Sequence, residues 1–290
     1  MNWGHCVLEG ETDAEVLLST YLCHPSLANN ELSGPLAMMA LYDEISGWER
    51  RRYTYRFVVV PETIGSLAYL HKYGEHLQAE LVAGAVLTCL GGPHDGISYK
   101  LSRGGTSPLD GVMRYMKDMS GDPSVTIRPF DTSGSDERQY CSPGFNLPVG
   151  QFARTVYGKY AEYHTSADDK SFMGIDAVRE SVEAIATCLT VLERAGGFKS
   201  AVQHGEPMLS KRQLYPTVNA PDSTPRSMND LRRPVDPRLQ NIMRLINFAD
   251  GSTPLIEAAV EYDISPDQYV ATVDLLVEHD LLQPISTGIS

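Results

Sequence analysis

Residues 15–45 read EVLLSTYLCHPSLANNELSGPLAMMALYDEI, and this stretch indicates the class of fold. Glu15–Leu22 is a continuous apolar run of strand length. From Ser33 to Ile45, apolar residues recur at helical spacing, Ser33 can cap the helix, and Pro35 lies in its first turn. The stretch therefore predicts a strand and a helix, joined by a loop that is rich in hydrogen-bonding and ionisable groups.

The alternation of strand and helix continues along the chain. Strand-like runs lie at 53–60, 80–90, 125–130 and 147–153, and helical patterns lie at 64–73, 109–119, 136–141 and 176–195. This alternation predicts an α/β sheet with helices on both faces. In such a sheet, functional sites form beyond the carboxyl ends of the strands.

The pattern changes after about residue 196. Residues 205–233 are rich in Pro, Ser, Asn and Asp and show no clear periodicity, which predicts an extended arm. Residues 236–290 contain three short helical patterns that resemble a winged-helix or helix-turn-helix module. We therefore predict an α/β domain over residues 1–200, an arm over residues 201–233 and a winged-helix-like domain over residues 234–290.

Composition and charge limit the classes of function. The chain has 290 residues, of which 42% are hydrophobic, so it can bury one large core or two smaller ones. No run of 18 apolar residues predicts a membrane span, and the start, MNWGHCVLEGETD, does not resemble a signal peptide. Five scattered cysteines without a CxxC pair suit a reducing compartment. These features predict a cytoplasmic protein that does not bind a membrane.

The charge of the C-terminal module argues against DNA binding. Residues 239–290 contain one Lys or Arg residue, Arg244, and eight acidic residues, and the whole chain has a net charge of −13. Affinity for DNA comes largely from basic side chains that neutralise phosphates. We therefore predict no nucleic-acid partner, and instead a protein partner or a second copy of the chain bound through this module.

Several titratable side chains follow predicted strands. His24 follows the first strand, Glu62 follows the second, and Tyr163 and His164 follow the last by a short loop. Each has an ordinary explanation, since loop histidines are commonly surface residues and Glu62 can stabilise the start of the next helix. The ordered occurrence of all of them at strand ends favours a shared site.

Four segments resemble, in order, the signatures of zinc-dependent aminopeptidases with a phosphorylase/hydrolase-like fold. They are NNELSG (Asn29–Gly34, for Asn-Asp-Asn-x-Ser-Gly), VPETIGS (Val60–Ser66, for Glu-Glu-x-Gly), GSDERQYCSPGFNLP (Gly134–Pro148, for Ser-Asp-x-x-x-Phe…Gly-Ile-Pro) and EYHTSAD (Glu162–Asp168, for Tyr-His-x-x-x-Asp). The chain as a whole is similar to a bacterial branch that joins an aminopeptidase-like domain to a C-terminal winged helix and is linked to polysaccharide biosynthesis. The resemblance implies a zinc-exopeptidase-like mixed sheet flanked by helices. It also implies that relatives carry more chain before the first strand, so we expect a truncated relative.

The resemblance implies metal-assisted hydrolysis of a small peptide, aminoacyl or amide substrate. Glu62 would act as the general base, and Tyr163 would donate a hydrogen bond to the developing oxyanion. Glu137 or Asp136 would bind a free α-ammonium group by charge. Arg138 would either bind a substrate carboxylate or pair with one of these two acidic residues across the turn.

Departures from the family pattern limit the metal content. Asn30 stands where the family has a bridging carboxylate, Thr63 replaces the second glutamate, and no carboxylate lies near Thr88. A neutral amide cannot balance two dications, so we expect one zinc per chain, with Asn30 kept as a hydrogen-bonding contact to substrate. The predicted ligands are His24, His164 and Asp136, with Glu62 or Glu137 as an alternative third ligand.

The sequence leaves two other functions open. A non-catalytic relative would use the same cleft to bind a ligand, which the missing metal carboxylates favour. A transcriptional regulator would use an enzyme-like sensor domain, which the acidic C-terminal helices disfavour.

Overall fold

The structure is a computed structural model that describes residues 2–120, 124–215 and 236–285. The chain forms two compact units, Met1–Glu193 and Arg194–Ile285. The first unit holds the predicted α/β domain, and the second holds the predicted C-terminal helices.

A mixed sheet forms the centre of the first unit. Its strands are β1 (Gly4–Leu8), β2 (Glu15–Tyr21), β3 (Thr54–Val60), β4 (Leu81–Leu87), β5 (Ile97–Lys100), β6 (Val125–Arg128) and β7 (Val149–Ala153). They lie in the order β1-β3-β2-β4-β7-β5-β6. The central strands β3, β2, β4 and β7 are parallel, whereas β1 and β5 each pair antiparallel with a neighbour. The predicted mixed α/β sheet is confirmed.

Helices flank this sheet. They are α1 (Ser33–Ser46), α2 (Ile64–Glu80), α3 (Pro108–Ser120), α4 (Glu137–Tyr140) and α5 (Ile175–Leu192), and a short π-helical segment, Ala28–Leu32, leads into α1. Helix α2 is longer than the predicted 64–73, because Leu70, Gly74 and Leu77 continue its buried face at helical spacing.

The burial of β2 explains why this strand could be predicted from the sequence. All seven residues of β2 are buried, with Val16, Leu17 and Leu18 fully covered. A parallel strand that is covered on both faces reads as a continuous apolar run rather than as an alternating one. Tyr69 and Leu77 of α2 pack into the same core.

Strands β1 and β5 were not predicted. Strand β1 lies at an edge of the sheet, and most of its residues are exposed. Its sequence therefore lacks the apolar pattern that a buried face produces. Strand β5 is buried but has only four residues, and one of them is the charged residue Lys100.

The second unit combines three helices with a small antiparallel sheet. The helices are α6 (Pro237–Phe248), α7 (Leu255–Glu261) and α8 (Pro266–Glu278), and the sheet has the order β10 (Leu282–Pro284), β8 (Gly197–Ser200), β9 (Asp250–Pro254). Asp236 caps α6 by accepting a hydrogen bond from the Arg238 N–H at 2.9 Å. Residues 216–233 of the predicted arm lie outside the described residues.

Within the described ranges, no helix combines the length and the apolar character that crossing a bilayer requires.

Candidate functional site

His24 lies just beyond the carboxyl end of β2, and carboxylates contact both edges of its ring. Its backbone N–H donates to Glu31 Oε2 at 2.7 Å, and the same oxygen lies 3.3 Å from Nδ1. Nδ1 also lies 3.3 Å from Cys23 Sγ. On the opposite edge, Nε2 lies 3.6 Å from Glu62 Oε2. His24 can therefore present either ring nitrogen to a cation, with an acidic partner on each side.

The loop after His24 is fixed by Asp168. The Asp168 carboxylate is fully buried and accepts the backbone N–H groups of Asn29 at 2.6 Å and Asn30 at 2.9 Å. The Asp168 carbonyl accepts the N–H of Ala28 at 2.9 Å. These bonds hold the π-helical segment in place, and that segment turns Glu31 back towards His24. Such π-turns are frequent at functional sites.

Glu62 follows β3 and is held from two directions. Its Oε1 accepts the Ser135 hydroxyl at 2.6 Å, and its backbone N–H donates to Cys23 Sγ at 3.2 Å. The next residue, Thr63, adopts φ +61°, which is unfavourable for a β-branched side chain. The carboxylate therefore remains partly open to solvent in a fixed position, as a general base requires.

Asp136 directly precedes α4 and is buried against the start of α2. Its Oδ1 accepts the Thr63 N–H at 2.6 Å and the Ser66 hydroxyl at 2.8 Å. Its Oδ2 is buried and has no hydrogen-bond partner among the described residues. Burial, helped by the nearby charges of Glu62 and Glu137, raises the pKa of Asp136 to about 7. A cation near Oδ2 would satisfy this atom and favour the ionised form.

Glu137 is paired inside the protein. It is fully buried and forms an ion pair with Lys100, and its Oε2 accepts the Gln151 amide at 3.0 Å. Both oxygens are engaged, which disfavours the predicted role in binding a substrate ammonium group.

Arg138 makes few contacts. Its Nη1 donates to the Thr132 carbonyl at 3.5 Å, and its Nε has no partner in the described part of the chain. Among described residues, the structure shows no ion pair between Arg138 and Glu137 or Asp136.

His164, on the loop after β7, lies close to His24. The His24 and His164 rings lie 5.3 Å apart between centroids, and Tyr163 stacks on His164 at 4.0 Å. His164 adopts φ +56°, a conformation that non-glycine residues rarely take outside functional or turn positions. Burial raises the pKa of Tyr163, so its hydroxyl stays protonated as a donor.

The residues at the expected second-metal positions form a neutral network. Asn30 Nδ2 donates to the Tyr21 hydroxyl at 3.0 Å and contacts Cys89 Sγ at 3.5 Å, and the Tyr21 hydroxyl lies 2.6 Å from Thr88 Oγ1. These groups do not supply the anionic charge that two closely spaced dications need. The donor set fits one cation and does not fit a pair.

The structure brings together His24, Glu62 and His164, and the Asp136 carboxylate binds the backbone N–H of Thr63, the residue after Glu62. Four further residues of the site were given no role from the sequence: Cys23, Glu31, Ser135 and Asp168. Cys23, His24 and Glu31 place a sulfur, a nitrogen and an oxygen atom within 4.8 Å of one another. The sequence did contain a signal for Glu31, since it is the one carboxylate in the loop CHPSLANNEL.

Comparison with known proteins agrees with this architecture. A family model described as "Domain of unknown function (DUF4910)" matches residues 1–195, and one described as "winged helix-turn-helix" matches residues 197–284. A Clostridium acetobutylicum protein named "Putative polysaccharide biosynthesis protein with aminopeptidase-like domain" is 30% identical over 284 residues. That alignment covers 98% of this chain and 62% of the relative, so the chain spans less than two thirds of the relative's length.

Solved structures show the same fold. The crystal structure of a "putative peptidase" from Clostridium acetobutylicum superposes with a TM-score of 0.79 at 28% identity, covering 98% of this chain and 60% of that chain. A zinc aminopeptidase from Bacillus subtilis superposes with a TM-score of 0.53 at 13% identity, covering 64% of this chain and 48% of that chain. The latter likeness shows the fold alone.

The mixed sheet, the aminopeptidase-like structural neighbours and the two matched family models agree with one another. The chain therefore belongs to the family described as domain of unknown function DUF4910, here joined to a C-terminal winged helix-turn-helix domain.

Proposed function

We propose that this chain is a metal-dependent hydrolase of peptide or amide bonds that uses one zinc ion on the Nε2 edge of His24. The aminopeptidase-like fold supports a peptidase-like hydrolase at the level of the family. The observation that carries the proposal is the position of Glu62, whose Oε2 lies 3.6 Å from His24 Nε2. It puts a candidate base beside a candidate ligand, at the ends of two adjacent parallel strands.

The proposed ligands are His24, His164 and Asp136. The ring separation of 5.3 Å between the two histidines and the unpartnered Oδ2 of Asp136 support this set. A catalytic zinc needs three protein ligands and one open position. The zinc aminopeptidase from Bacillus subtilis supports the choice of metal through its fold alone.

In the proposed mechanism, each residue around the ion has a different role in hydrolysis. Bound zinc supplies Lewis acidity, which lowers the pKa of water and polarises a scissile carbonyl. Glu62 removes a proton from the attacking water and delivers it to the leaving amine. Ser135 holds Glu62 through its 2.6 Å hydrogen bond, and the Tyr163 hydroxyl donates to the developing oxyanion.

The substrate we propose is a small peptide or an aminoacyl or amide compound. The buried Oδ1 of Asn30 has no partner among the described residues, so it can accept a hydrogen bond from a substrate amine. Arg138 is available to bind a substrate carboxylate. The name of the Clostridium acetobutylicum relative suggests a role in making polysaccharides. We further propose that the winged helix unit binds a protein partner or a second copy of the chain.

A second candidate is a binding protein that has lost catalysis. Asn30, Thr63 and Thr88 favour it, because each is neutral where a zinc aminopeptidase signature has a carboxylate. Such a protein would bind its ligand without retaining a metal.

Metal content separates the two candidates. Purified protein would be stripped with a chelator, incubated with zinc, freed of excess ion and assayed for zinc per chain. We expect about one zinc in the wild type and its loss in His164→Ala, since a catalytic site has three protein ligands. His71→Ala, at an exposed position on α2, is the matched control and should retain zinc.

Two results would contradict the hydrolase proposal. One is a wild-type protein that retains no zinc, which leaves the binding protein. The other is zinc retained equally by the wild type and His164→Ala, which places the ion elsewhere.

A further inference from the structure

Three ligand atoms of different chemistry meet on the Nδ1 edge of His24. Cys23 Sγ and Glu31 Oε2 each lie 3.3 Å from Nδ1, and the ligand atoms of the three residues lie within 4.8 Å of one another. Tetrahedral zinc with bonds of about 2.0 to 2.3 Å holds its ligand atoms about 3.5 Å apart. The three atoms are therefore already close to the spacing that a bound ion would impose.

This edge is separate from the one proposed for hydrolysis. Glu62 contacts Nε2, whereas Cys23 and Glu31 contact Nδ1. A groove of about 790 Å³ lies beside Cys23 and Glu31, and its lining also includes Leu27, Asp169 and Lys170. Solvent ions thus have a route to Cys23 and Glu31 along a largely apolar wall.

The local charge favours a cation. Glu31 is buried and its ion-pair partner is His24, and no Lys or Arg lies within ion-pair distance of its carboxylate in the described ranges.

We propose that Cys23, Nδ1 of His24 and Glu31 form a metal site of their own, which takes a thiophilic divalent ion such as cobalt or cadmium when that ion is in excess and does not retain zinc once the excess is removed. Sulfur, imidazole and carboxylate ligands suit zinc, cobalt and cadmium better than magnesium or calcium. Binding converts the Cys23 thiol to a thiolate and releases its proton to solvent. The site does not depend on the proposed hydrolysis, although it shares His24 with it.

Sharing His24 makes the two sites compete. A neutral imidazole has one nitrogen with a free lone pair and one N–H. An ion on Nδ1 leaves the proton on Nε2, pointing towards Glu62, so Nε2 cannot also hold the hydrolytic zinc. Occupation of the thiolate site would therefore withdraw His24 from the hydrolytic site.

Cobalt and cadmium titrations test the site directly. The full chain would be reduced, stripped of metal and titrated while its near-ultraviolet absorbance is recorded, because thiolate ligation produces a sulfur-to-metal charge-transfer band. We expect a band that saturates at one ion per chain in the wild type and is absent in Cys23→Ser. In Glu31→Gln the affinity should fall at least roughly tenfold, the lower limit for loss of even an outer-shell partner.

Two matched variants should keep the band. Cys6→Ser changes another exposed cysteine, on β1, and His164→Ala removes a ligand of the proposed hydrolytic zinc but of no ion at Nδ1. Circular dichroism confirms that each variant is folded. His164→Ala also separates the two proposals, since it should lose retained zinc at the hydrolytic site and keep the thiolate band.

Three outcomes would overturn this site. They are the absence of a band in folded wild type, a band that persists in Cys23→Ser, and a band lost in His164→Ala. The first two leave the hydrolase proposal intact if zinc retention still requires His164. The third assigns Cys23 to the hydrolytic ion instead of to a site of its own.

Discussion

Glu62 and His24 come within 3.6 Å of each other because β2 and β3 are parallel and in register. Tyr21 is paired with Val60, so the two strands end at the same level of the sheet. His24 follows Tyr21 by three residues, and Glu62 follows Val60 by two. The register of the sheet therefore sets the distance between the candidate ligand and the candidate base.

If Glu62 is the general base, its loss should remove turnover and leave metal binding intact. We expect Glu62→Gln to lower kcat about 10²- to 10⁴-fold on any aminoacyl or amide substrate that the wild type hydrolyses. Zinc per chain and the unfolding midpoint should stay close to wild type. Ser135→Ala, which loses only the 2.6 Å bond to Glu62, should give a smaller loss. Wild-type kcat in Glu62→Gln would rule out this residue as the base.

Asp168 should stabilise the loop that carries Asn29, Asn30 and Glu31. In Asp168→Asn, a buried backbone N–H loses its acceptor, so we expect the free energy of unfolding to fall by about 1 to 3 kcal/mol. Urea denaturation followed by circular dichroism measures the change. Asp169→Asn, at an exposed neighbouring position, is the control and should leave the unfolding midpoint nearly unchanged. Equal effects of the two substitutions would contradict this account.

Gly134 should be required for the position of Ser135. It adopts φ +139°, and a Cβ atom there would lie 2.6 Å from both Lys100 Nζ and Tyr157 Oη. We expect Gly134→Ala to destabilise the protein by about 1 to 3 kcal/mol and to lower turnover by displacing Ser135 from Glu62. Thermal unfolding and kinetics check both effects. In Gly144→Ala, the added Cβ atom meets nothing within 4 Å, so this control should leave stability and turnover unchanged. Unchanged stability and turnover in Gly134→Ala would contradict the prediction.

The buried pair of Glu15 and Arg56 should make the protein sensitive to acid. Arg56 donates two bonds of 2.7 and 2.8 Å to the Glu15 carboxylate, and His76 lies 2.9 Å from it. Burial alone would raise the pKa of Glu15, but the bonds from Arg56 and His76 outweigh burial and lower it from 4.5. This stabilisation is therefore fully present above about pH 4.5 and is lost as pH falls through the lowered pKa.

Arg56→Met tests that assignment. It leaves a buried carboxylate without its cation, so we expect a loss of about 3 to 5 kcal/mol at neutral pH and a smaller loss in acid, where Glu15 is protonated. Arg50→Met removes the exposed pair with Glu11 and should cost less than about 1 kcal/mol at any pH. Urea midpoints measured from pH 3 to pH 7 would show the difference. A loss that does not vary with pH would contradict the role of charge.

The winged helix unit should not bind DNA strongly. Helix α8 exposes Asp267 and Glu278, which repel phosphates. We expect no change in the fluorescence anisotropy of a labelled duplex at physiological salt. Binding that weakens steeply as salt increases would instead revive a regulatory function.

Much of the fold was predictable because local patterns coincide with buried faces. The run EVLLSTYL marks β2 because parallel strands are covered on both sides, and the spacing in SGPLAMMALYDEI marks α1. Strand β1 was not predicted because it is an exposed edge strand. Strand β5 was not predicted because it is short and contains the buried charged residue Lys100. Its partner Glu137 lies far away in the sequence, so the ion pair that makes this burial tolerable has no local signal.

The sequence by itself determined which chemical groups follow each strand: His24, Glu62, Tyr163 and His164, with neutral Asn30 in place of a bridging carboxylate. Only the tertiary structure decided how these groups are used. Folding pairs Glu137 with Lys100, leaves Oδ2 of Asp136 without a partner, and turns Glu31 back onto Nδ1 of His24 beside Cys23. The physical reason is that strand order shows which side chains share an edge, whereas hydrogen bonds and burial in three dimensions decide which of them remain free to bind.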